Sequence, residues 1–490
     1  MSLPAHTPVL VGIGTATRRE EDFRLALEPM DLMLEAVAAA GADTGSQRVL
    51  EGLGYIAVPR GRWRYSNPAG EIARHFHAAH ATTVLATPGV LQQTLLGEAC
   101  ARIVRGEVHT ALVTGADAGY RLLRAQIAGQ EAGEREQSDI PDVFLQPKDE
   151  LRHPAEKRAG MVMPVGLYAI LESAFRAKQG WTLDEHRDRL AALWSRFSTV
   201  AAGNPHAWNT REIPAAEIRD ASRHNPMQAF PYTRSHCSTW NVDQAAALLV
   251  CSVVRAQELG IPRSRWVFPL ASTESNHMVA VSARSDLAAC PGASIAGCAA
   301  MDAAGWTPSD IHLVDLYSCF PIAVETYAAE LGLPLTRDLT VTGGMAFAGG
   351  PYNNYFYQAT CRAAELLRVG RGRNALLSCV SGVVTKQAFG AWSLDEPRQP
   401  FVHRDLTEEV ARVVAVRDVI EEFTGSASVA GYTVLHARGQ APRGVALVDT
   451  PQGQRALATT EDRALIGEME RQELVGRSVH VLGNVIEGLQ

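Results

Sequence analysis

The sequence lacks paired-cysteine motifs, an excess of basic residues and long apolar runs. Its 8 cysteines are scattered and none forms a C-x-x-C pair, so we expect reduced, mostly buried thiols and no metal site. The net charge of -7 argues against nucleic-acid binding, which needs a basic face. No apolar run approaches the ~20 residues of a membrane span, and no secretory signal pattern opens the chain. These absences predict a cytoplasmic protein without membrane or nucleic-acid partners.

Strands and helices alternate in the first part of the chain. The 490 residues are too many for one simple core, and 46% are hydrophobic. Short β-branched runs predict strands at 8–14, 53–58 and 110–115, and Ala/Leu-rich runs predict helices at 30–40 and 91–105. This alternation is typical of a layered α/β domain. A second pass with the same order, from about 266 to 381, suggests a duplicated fold.

We predict four segments that differ in composition and in secondary structure. Residues 1–117 and 236–262 form a first α/β half, and residues 118–235 form a helical insertion rich in charged and polar residues. Residues 263–400 form a second α/β half. Residues 401–490 form a small β-rich, barrel-like domain, with short strands expected at 413–416, 430–434 and 443–448.

One stretch places reactive side chains beside a predicted helix start. Tyr317, Ser318 and Cys319 follow a short apolar strand, and Pro321 suits the first turn of the next helix. A phenol, a hydroxyl and a thiol therefore lie near a helix N-terminus, where partial positive charge stabilises anions. Core packing is the competing interpretation for Cys319, because free cysteines are often buried.

Four motifs together resemble those of the thiolase superfamily, most closely its sterol-carrier-protein-like and thiolase-like acetyl-CoA acetyltransferase branch with an added C-terminal domain. They are Asp243-Gln244-Ala245-Ala246-Ala247, Tyr317-Ser318-Cys319-Phe320, Ala348-Gly349-Gly350-Pro351 and Ser378-Cys379-Val380-Ser381-Gly382. The resemblance covers about residues 8–400. It implies two similar α/β halves stacked in five layers (αβαβα), with the insertion helping to bind coenzyme A. It also implies a coenzyme A thioester as substrate and no bound cofactor.

Several family positions carry different residues here. By spacing, the nucleophilic cysteine of thiolases corresponds to Gly89, and the histidine of their G-H-P motif corresponds to Gly350. Tyr317 stands where thiolases have asparagine or histidine. Cys379 keeps the C-x-G cysteine, although Ser381 replaces the glycine. The nucleophile and base of a standard Claisen condensation are therefore missing at their expected places.

The remaining chemistry-bearing residues define the candidate site. The catalytic candidates are Cys379, Cys319, Tyr317, His236 and Asn353. The candidates for binding substrate or coenzyme A are Gly89, Ser318, Gly349, Gly350, Asn354 and Ser381. His236 is expected to activate Cys379 or Cys319 across the pocket. Asn353 and Asn354 could replace the missing oxyanion donor or shape a turn, and Lys386 is expected to be solvated.

Three functions stay open at this point, and the first two are enzymatic. The first is acyl transfer from an acyl-CoA or carrier-protein thioester by an altered thiolase mechanism through Cys379 or Cys319. The second is a retro-aldol carbon–carbon lyase that uses Tyr317 and no covalent thioester. The third is non-catalytic binding of such thioesters. A homodimer is expected, or a monomer if the C-terminal domain covers the dimer face.

Overall fold

The computed structural model describes residues 3–489. The helices are α1 (Pro29–Asp43), α2 (Arg48–Glu51), α3 (Pro68–His75), α4 (Gln92–Val104), α5 (Gly119–Ile127), α6 (Pro154–Arg158), α7 (Pro164–Gln179), α8 (Leu183–Ala202), α9 (Ala215–Arg219), α10 (Val253–Glu258), α11 (Pro291–Ala304), α12 (Pro321–Glu330), α13 (Gly344–Phe347), α14 (Tyr355–Arg368), α15 (Thr407–Val413) and α16 (Arg463–Met469). Among these described residues, no helix combines the length and the apolar character needed to cross a membrane.

The strands belong to three sheets. They are β1 (Pro8–Arg18), β2 (Tyr55–Pro59), β3 (Thr82–Ala86), β4 (Thr110–Ala118), β5 (Val143–Leu145), β6 (Met227–Ala229), β7 (Tyr232–Thr233), β8 (Asp243–Ser252), β9 (Phe268–Ser275), β10 (Leu313–Asp315), β11 (Asn374–Ser381), β12 (Lys386–Ser393), β13 (Val402–Asp405), β14 (Gly425–Leu435), β15 (Arg443–Asp449), β16 (Arg455–Thr460), β17 (Ser478–Leu482) and β18 (Val485–Leu489).

The first sheet has the order β1-β8-β4-β2-β3-β5. β8 follows the insertion in sequence, yet it pairs antiparallel with both β1 and β4, and every one of its residues is buried. β5 comes from the segment after α5 and pairs parallel with β3. The outer edge of β3 is therefore covered by the chain itself, so β3 does not offer unpaired backbone groups to another molecule.

The second sheet has the order β10-β11-β12-β9-β13, and helices separate it from the first. Residues of α4 and α14 share one apolar cluster with residues of both sheets. α1 packs on the outer side of the first sheet, and α11 and α12 pack on the outer side of the second. The result is a helix–sheet–helix–sheet–helix stack, in which α4 and α14 form the central layer.

Two long helices dominate the insertion. α7 begins with Pro164, which suits a first helical turn, and Gly180 ends it in the left-handed conformation with φ of 71°. Thr182 and Glu185 form a capping box at the start of α8. Tyr168 of α7 packs against Phe320, with ring centroids 4.4 Å apart. The insertion thus lies directly against the start of α12.

The C-terminal region forms a closed β structure. β14 pairs with both β15 and β17, and β16 and β18 complete the ring between them. β6 of the insertion adds to β14 through the pair Ala229 and Leu435. The strand expected at 413–416 is wrong: α15 continues to Val413, and Val416 forms only an isolated bridge with Arg284. The apolar run there is largely exposed, with Val413 and Val416 open to solvent, and the buried residue of the short helix before it is Val410.

Candidate functional site

Asp315 and Ser318 attach the stretch before α12 to the glycine-rich loop. Buried Asp315 accepts hydrogen bonds from the Val341 N–H and the Tyr355 hydroxyl, both at 2.9 Å. The Ser318 hydroxyl is fully buried and accepts from the Met345 N–H at 3.0 Å. The sequence predicts substrate binding by Ser318, whereas the structure commits its hydroxyl to this loop. These contacts set the position of Tyr317, which lies between them together with Leu316.

That residue, Tyr317, is buried with its backbone N–H donating to the Ser378 hydroxyl at 2.9 Å. Burial raises the pKa of Tyr317 well above its ordinary value, and the nearby thiols of Cys319 and Cys379 raise it further. A hydrogen bond with the Gln92 side chain acts in the opposite direction on this pKa. At neutral pH the phenol therefore keeps its proton and serves as a hydrogen-bond donor.

Cys379 lies in β11 and faces the first turn of α4. Burial raises the pKa of its thiol to about 11, and the backbone N–H groups of Gln93 and Gln92 partly oppose that rise. Such N–H groups at a helix start favour negative charge. The carboxyl of Glu274 raises the same pKa. The balance leaves Cys379 as a neutral thiol near pH 7.

Gln92 joins the starts of α4 and α14. Its Oε1 accepts from the Phe356 N–H at 2.7 Å, its Nε2 donates to Asn353 Oδ1 at 3.3 Å, and its carbonyl accepts from the Tyr357 hydroxyl at 3.1 Å. The Asn353 Nδ2 is buried and has no acceptor among the described residues. Neither side-chain polar atom of buried Asn354 has a partner there. An amide donor without an acceptor among the described residues, that of Asn353, therefore lies next to Gln92, which also acts on the tyrosine and the thiol.

The environment of Lys386, at the start of β12, differs from the one predicted from the sequence. The expectation of a solvated lysine is wrong, because Lys386 is only 4% exposed and its Nζ donates to the Gly89 carbonyl at 2.6 Å. Burial lowers its pKa, while Glu274 and Cys379 act to raise it. The hairpin register places it opposite half-buried Ser381. An amine thus reaches the loop where thiolases carry their nucleophile.

Each of the three glycines Gly89, Gly349 and Gly350 is explained by a different local constraint. Gly89 has φ of +102°, and a Cβ there would lie 2.8 Å from Pro147 Cγ. Gly349 is also left-handed, with φ of +108°. A Cβ at Gly350 would lie 2.1 Å from Ser238 Oγ. The position that carries a histidine in thiolases is therefore filled by a neighbouring serine, and no cleft opens there for a larger side chain.

His236 does not take part in the arrangement around Cys379. Its Nδ1 lies 2.9 Å from the Thr233 hydroxyl, and the ring is 2% exposed. Burial lowers the pKa of His236 to about 3, and Glu172 in the insertion opposes that shift. The main influences on the Cys379 and Cys319 thiols include no histidine. The predicted activation of either cysteine by His236 is therefore not supported by its position in the core of the insertion.

Cys319 faces the insertion rather than α4. Burial raises the pKa of its thiol to about 12, although the Tyr168 hydroxyl donates a hydrogen bond that lowers it. The neighbouring thiol of Cys237 is likewise raised to a pKa of about 12, chiefly by burial. Neither sulfur is a thiolate at neutral pH, and a thiol is a poor nucleophile.

The structure thus brings together three predicted site residues, one residue that the sequence did not single out (Gln92) and one that was expected to be solvated (Lys386). We call Gln92, Tyr317, Asn353, Cys379 and Lys386 the central site. Gly89 borders it through the bond from Lys386. A signal for Gln92 existed in the sequence, because it opens the long helix beside the expected nucleophile position. Lys386 gave no such signal, since only the strand pairing buries it.

Comparison with known proteins shows which family the chain is similar to. Residues 405–484 match the model of the thiolase-like protein type 1 additional C-terminal domain. Over 99% of both chains, the fold matches the crystal structure of a monomeric SCP2-thiolase like protein type 1 from Mycobacterium smegmatis, with a TM-score of 0.84 and 26% identity. The chain has a thiolase-like fold followed by this additional C-terminal domain. The predicted five-layer fold and small β-rich domain are thereby confirmed.

More distant relatives share parts of this thiolase-like architecture. An acetyl-CoA acetyltransferase of Methanothermobacter thermautotrophicus is 27% identical over 195 residues, which are 40% of this chain and 46% of that protein. The match thus spans less than half the length of that relative. The Ltp2-ChsH2(DUF35) aldolase covers 81% of this chain and 100% of its own, with a TM-score of 0.60 and 18% identity. An acetyl-CoA acetyltransferase of Syntrophomonas wolfei covers 80% and 99%, at a TM-score of 0.57 and 17% identity. These two structures share the fold.

Proposed function

We propose that the central site binds the thioester of an acyl-CoA, or of an acylated carrier protein, and stabilises its enolate without forming an acyl-enzyme. One observation carries this proposal. The thiols of Cys379 and Cys319 have pKa values raised to about 11 and about 12, while the backbone N–H groups of Gln92 and Gln93 and the neutral Tyr317 phenol lie near Cys379. A covalent thiolase mechanism needs a thiolate and a base to make it. Enolate stabilisation needs only donors and a base.

Three kinds of donor would hold the negative oxygen. The Tyr317 phenol stays protonated because burial raises its pKa. The Asn353 Nδ2 is buried with no acceptor in the described part of the chain. The N–H groups of Gln92 and Gln93 open α4, where the helix dipole adds positive charge. Fixed donors of this kind act strongly in a buried site, because they need no reorganisation as the charge develops.

Lys386 is the proposed base. Burial lowers its pKa, so its unprotonated amine is more accessible near neutral pH than that of a solvated lysine. The amine would take a proton from the thioester α-carbon, and the resulting charge would reside on the thioester oxygen. In carbon–carbon cleavage, it would take the proton of a β-hydroxyl instead, and the electrons of the Cα–Cβ bond would form the enolate. The proposed reaction class is therefore a retro-aldol cleavage or its reverse.

The fold relationships are compatible with both kinds of chemistry. One structural relative is an aldolase, and a partial sequence relative is an acetyl-CoA acetyltransferase. The related Mycobacterium smegmatis structure is of a monomer. We propose a monomer here too, because β5 covers the edge of β3. This differs from the expectation that the C-terminal domain covers the dimer face.

The direct test is deuterium exchange at the α-carbon of acetyl-CoA and propionyl-CoA in D₂O, followed by NMR. Wild type should accelerate the exchange. Tyr317→Phe should reduce it by about 10²–10³, the usual effect of losing one oxyanion donor, and Lys386→Met should abolish it. Tyr120→Phe is the matched control, because this tyrosine bonds to Glu21 at the surface and leaves the site intact.

Calorimetric titration of coenzyme A thioesters separates the outcomes. Binding without exchange would leave only the thioester-binding function. If Tyr317→Phe does not change the exchange rate, Tyr317 is not a donor to the enolate oxygen. Exchange that survives Lys386→Met would remove the assigned base.

A second candidate is covalent acyl transfer through Cys379. The observation that favours it is the pair of N–H groups from Gln92 and Gln93, which lower the pKa of this thiol against the effect of burial. An acyl adduct that disappears in Cys379→Ala would support this candidate. A substrate that lowers the thiol pKa further on binding would be required, since the free thiol is protonated at pH 7.

A further inference from the structure

The insertion and α12 enclose a group of metal-ligating side chains away from the central site. Glu172 of α7, His186 of α8 and Glu325 of α12 each offer one ligand atom, and these atoms all lie within 4.8 Å of one another. All three side chains are buried. Three separate helices thus direct a carboxylate, an imidazole and a second carboxylate to one point.

This group holds two carboxyl groups and one imidazole, and burial together with the neighbouring Glu172 raises the pKa of Glu325 well above its ordinary value. His186 Nε2 lies 2.8 Å from Glu172 Oε1, and the Tyr232 hydroxyl donates to the other Glu172 oxygen. Oε2 of Glu325 is buried and has no hydrogen-bond partner among the described residues. Burying two carboxylates beside one imidazole is costly unless further positive charge is present. A divalent cation would supply it and leave the imidazole neutral.

An independent side chain also points to a ligand. His236 lies outside these helices, 98% buried, with Nδ1 held by the Thr233 hydroxyl at 2.9 Å. Its other nitrogen, Nε2, has no partner among residues 3–489. The ring lies beside that of Tyr232, with centroids 6.0 Å apart, and the charges that act most on it are those of Glu172 and His186. A second imidazole nitrogen without a partner among the described residues therefore lies in the neighbourhood of the cluster.

We propose that Glu172, His186 and Glu325 bind one divalent transition-metal ion, with His236 Nε2 as the fourth ligand. A set of two imidazole nitrogens and two carboxylate oxygens suits zinc. Zinc–ligand distances of about 2.0–2.2 Å place ligand atoms about 3.3–3.6 Å apart, so the three ligand atoms within 4.8 Å of one another need a small contraction. His236 Nε2 does not meet that distance to all three, so it needs a larger shift to complete the site. The sequence shows no cysteine-based site, and this one uses none.

The site would act on structure rather than on the reaction. Because its ligands are buried, the ion would enter as the chain folds, so its binding energy would add to folding stability. It would fasten α7 and α8 of the insertion to α12. The stretch from Tyr317 to Phe320 leads directly into α12, so the ion would also hold the insertion against the central site.

The test is metal analysis of the full chain by inductively coupled plasma mass spectrometry. We expect about one equivalent of bound metal after dialysis against chelator, given the stability of closed four-ligand sites. Protein unfolded in guanidinium with chelator should regain one equivalent when refolded with Zn²⁺, and its unfolding midpoint should exceed that of protein refolded without metal. His186→Gln and Glu325→Gln should each lower the bound metal by roughly tenfold or more.

His206→Gln is the matched control, because His206 pairs with Glu365 at 2.8 Å in the same way but outside any such cluster. It should keep the full equivalent. If wild type holds no metal and refolds to the same midpoint with and without Zn²⁺, the proposal is overturned, and a proton shared by the carboxylates balances the charge. Full metal content in folded His186→Gln would overturn it as well. If the variants do not fold, the comparison of refolded wild type decides alone.

Discussion

The position that differs most from thiolases gives a prediction with a defined magnitude. A Cβ at Gly350 would lie 2.1 Å from Ser238 Oγ and 3.2 Å from Met345 Cε. Overpacking of this kind costs about 1–3 kcal/mol. Gly350 is not in the left-handed region, so alanine also gains about 0.4–1 kcal/mol from the unfolded chain. We therefore expect Gly350→Ala to lower the free energy of unfolding by about 1–2 kcal/mol.

A double-mutant cycle tests the cause. Ser238→Ala removes the hydroxyl and leaves Ser238 Cβ at 3.4 Å from the new methyl group, which is an ordinary contact. Gly350→Ala should then be close to neutral in the Ser238→Ala background, with a coupling of about 1–2 kcal/mol between the two positions. Guanidinium unfolding followed by circular dichroism measures all four proteins. A Gly350→Ala variant as stable as wild type, or one that Ser238→Ala does not rescue, would refute the packing explanation for the missing histidine.

Three further predictions concern stability and assembly. Burial raises the pKa of Asp243 from 3.8 to about 6, so its folded form binds the proton more tightly, and up to about 3 kcal/mol of stability is lost as pH rises through 6. Asp243→Asn should remove that loss. Unfolding of both proteins at pH 4, 5, 6 and 7 should show the free energy of unfolding of the variant rise relative to that of wild type as the pH increases. A difference in unfolding free energy that stays constant with pH would contradict the prediction. Gln92→Ala leaves the buried Phe356 N–H without its acceptor, so guanidinium unfolding should show a loss of about 1–3 kcal/mol, and an unchanged midpoint would speak against that bond. Replacing β5 by Gly-Ser-Gly should uncover β3, so light scattering should show the mass of dimers or larger species instead of one chain. Phe144→Ser, at an exposed position of β5, should keep the mass of one chain. If wild type and both variants have the same mass, β5 does not prevent association.

The layered fold was predictable because its signals are local. Apolar runs with a period of two or of 3.6 residues mark the strands and helices of both halves, and Pro164, Gly180 and Pro321 lie at helix ends where their backbone chemistry places them. The run at 413–416 misled because a short apolar segment has no clear period. Its β-branched valines favour a strand, but α15 buries Val410 instead.

Site residues could be predicted from the sequence only where they lie within a recognisable motif. Tyr317 and Cys379 lie in recognisable motifs of the second half, and they are neighbours because β10 pairs with β11. The burial of Lys386 depends on β12 lying between β11 and β9, and on a bond to a loop about 300 positions earlier. His236 was misplaced for the same reason, because its sequence neighbours do not show that Thr233 turns its ring into the insertion.

The central claim is thioester chemistry without an acyl-enzyme, and intact-protein mass spectrometry after incubation with acyl-CoAs in D₂O tests it most directly. The same sample shows both the protein mass and the deuterium content of the thioester. We predict no acyl adduct on wild type, Cys379→Ala or Cys319→Ala, judged against each protein kept in D₂O without thioester, together with deuterium at the thioester α-carbon in all three. An acyl adduct on wild type that is absent from Cys379→Ala would contradict the account and establish covalent transfer through that thiol.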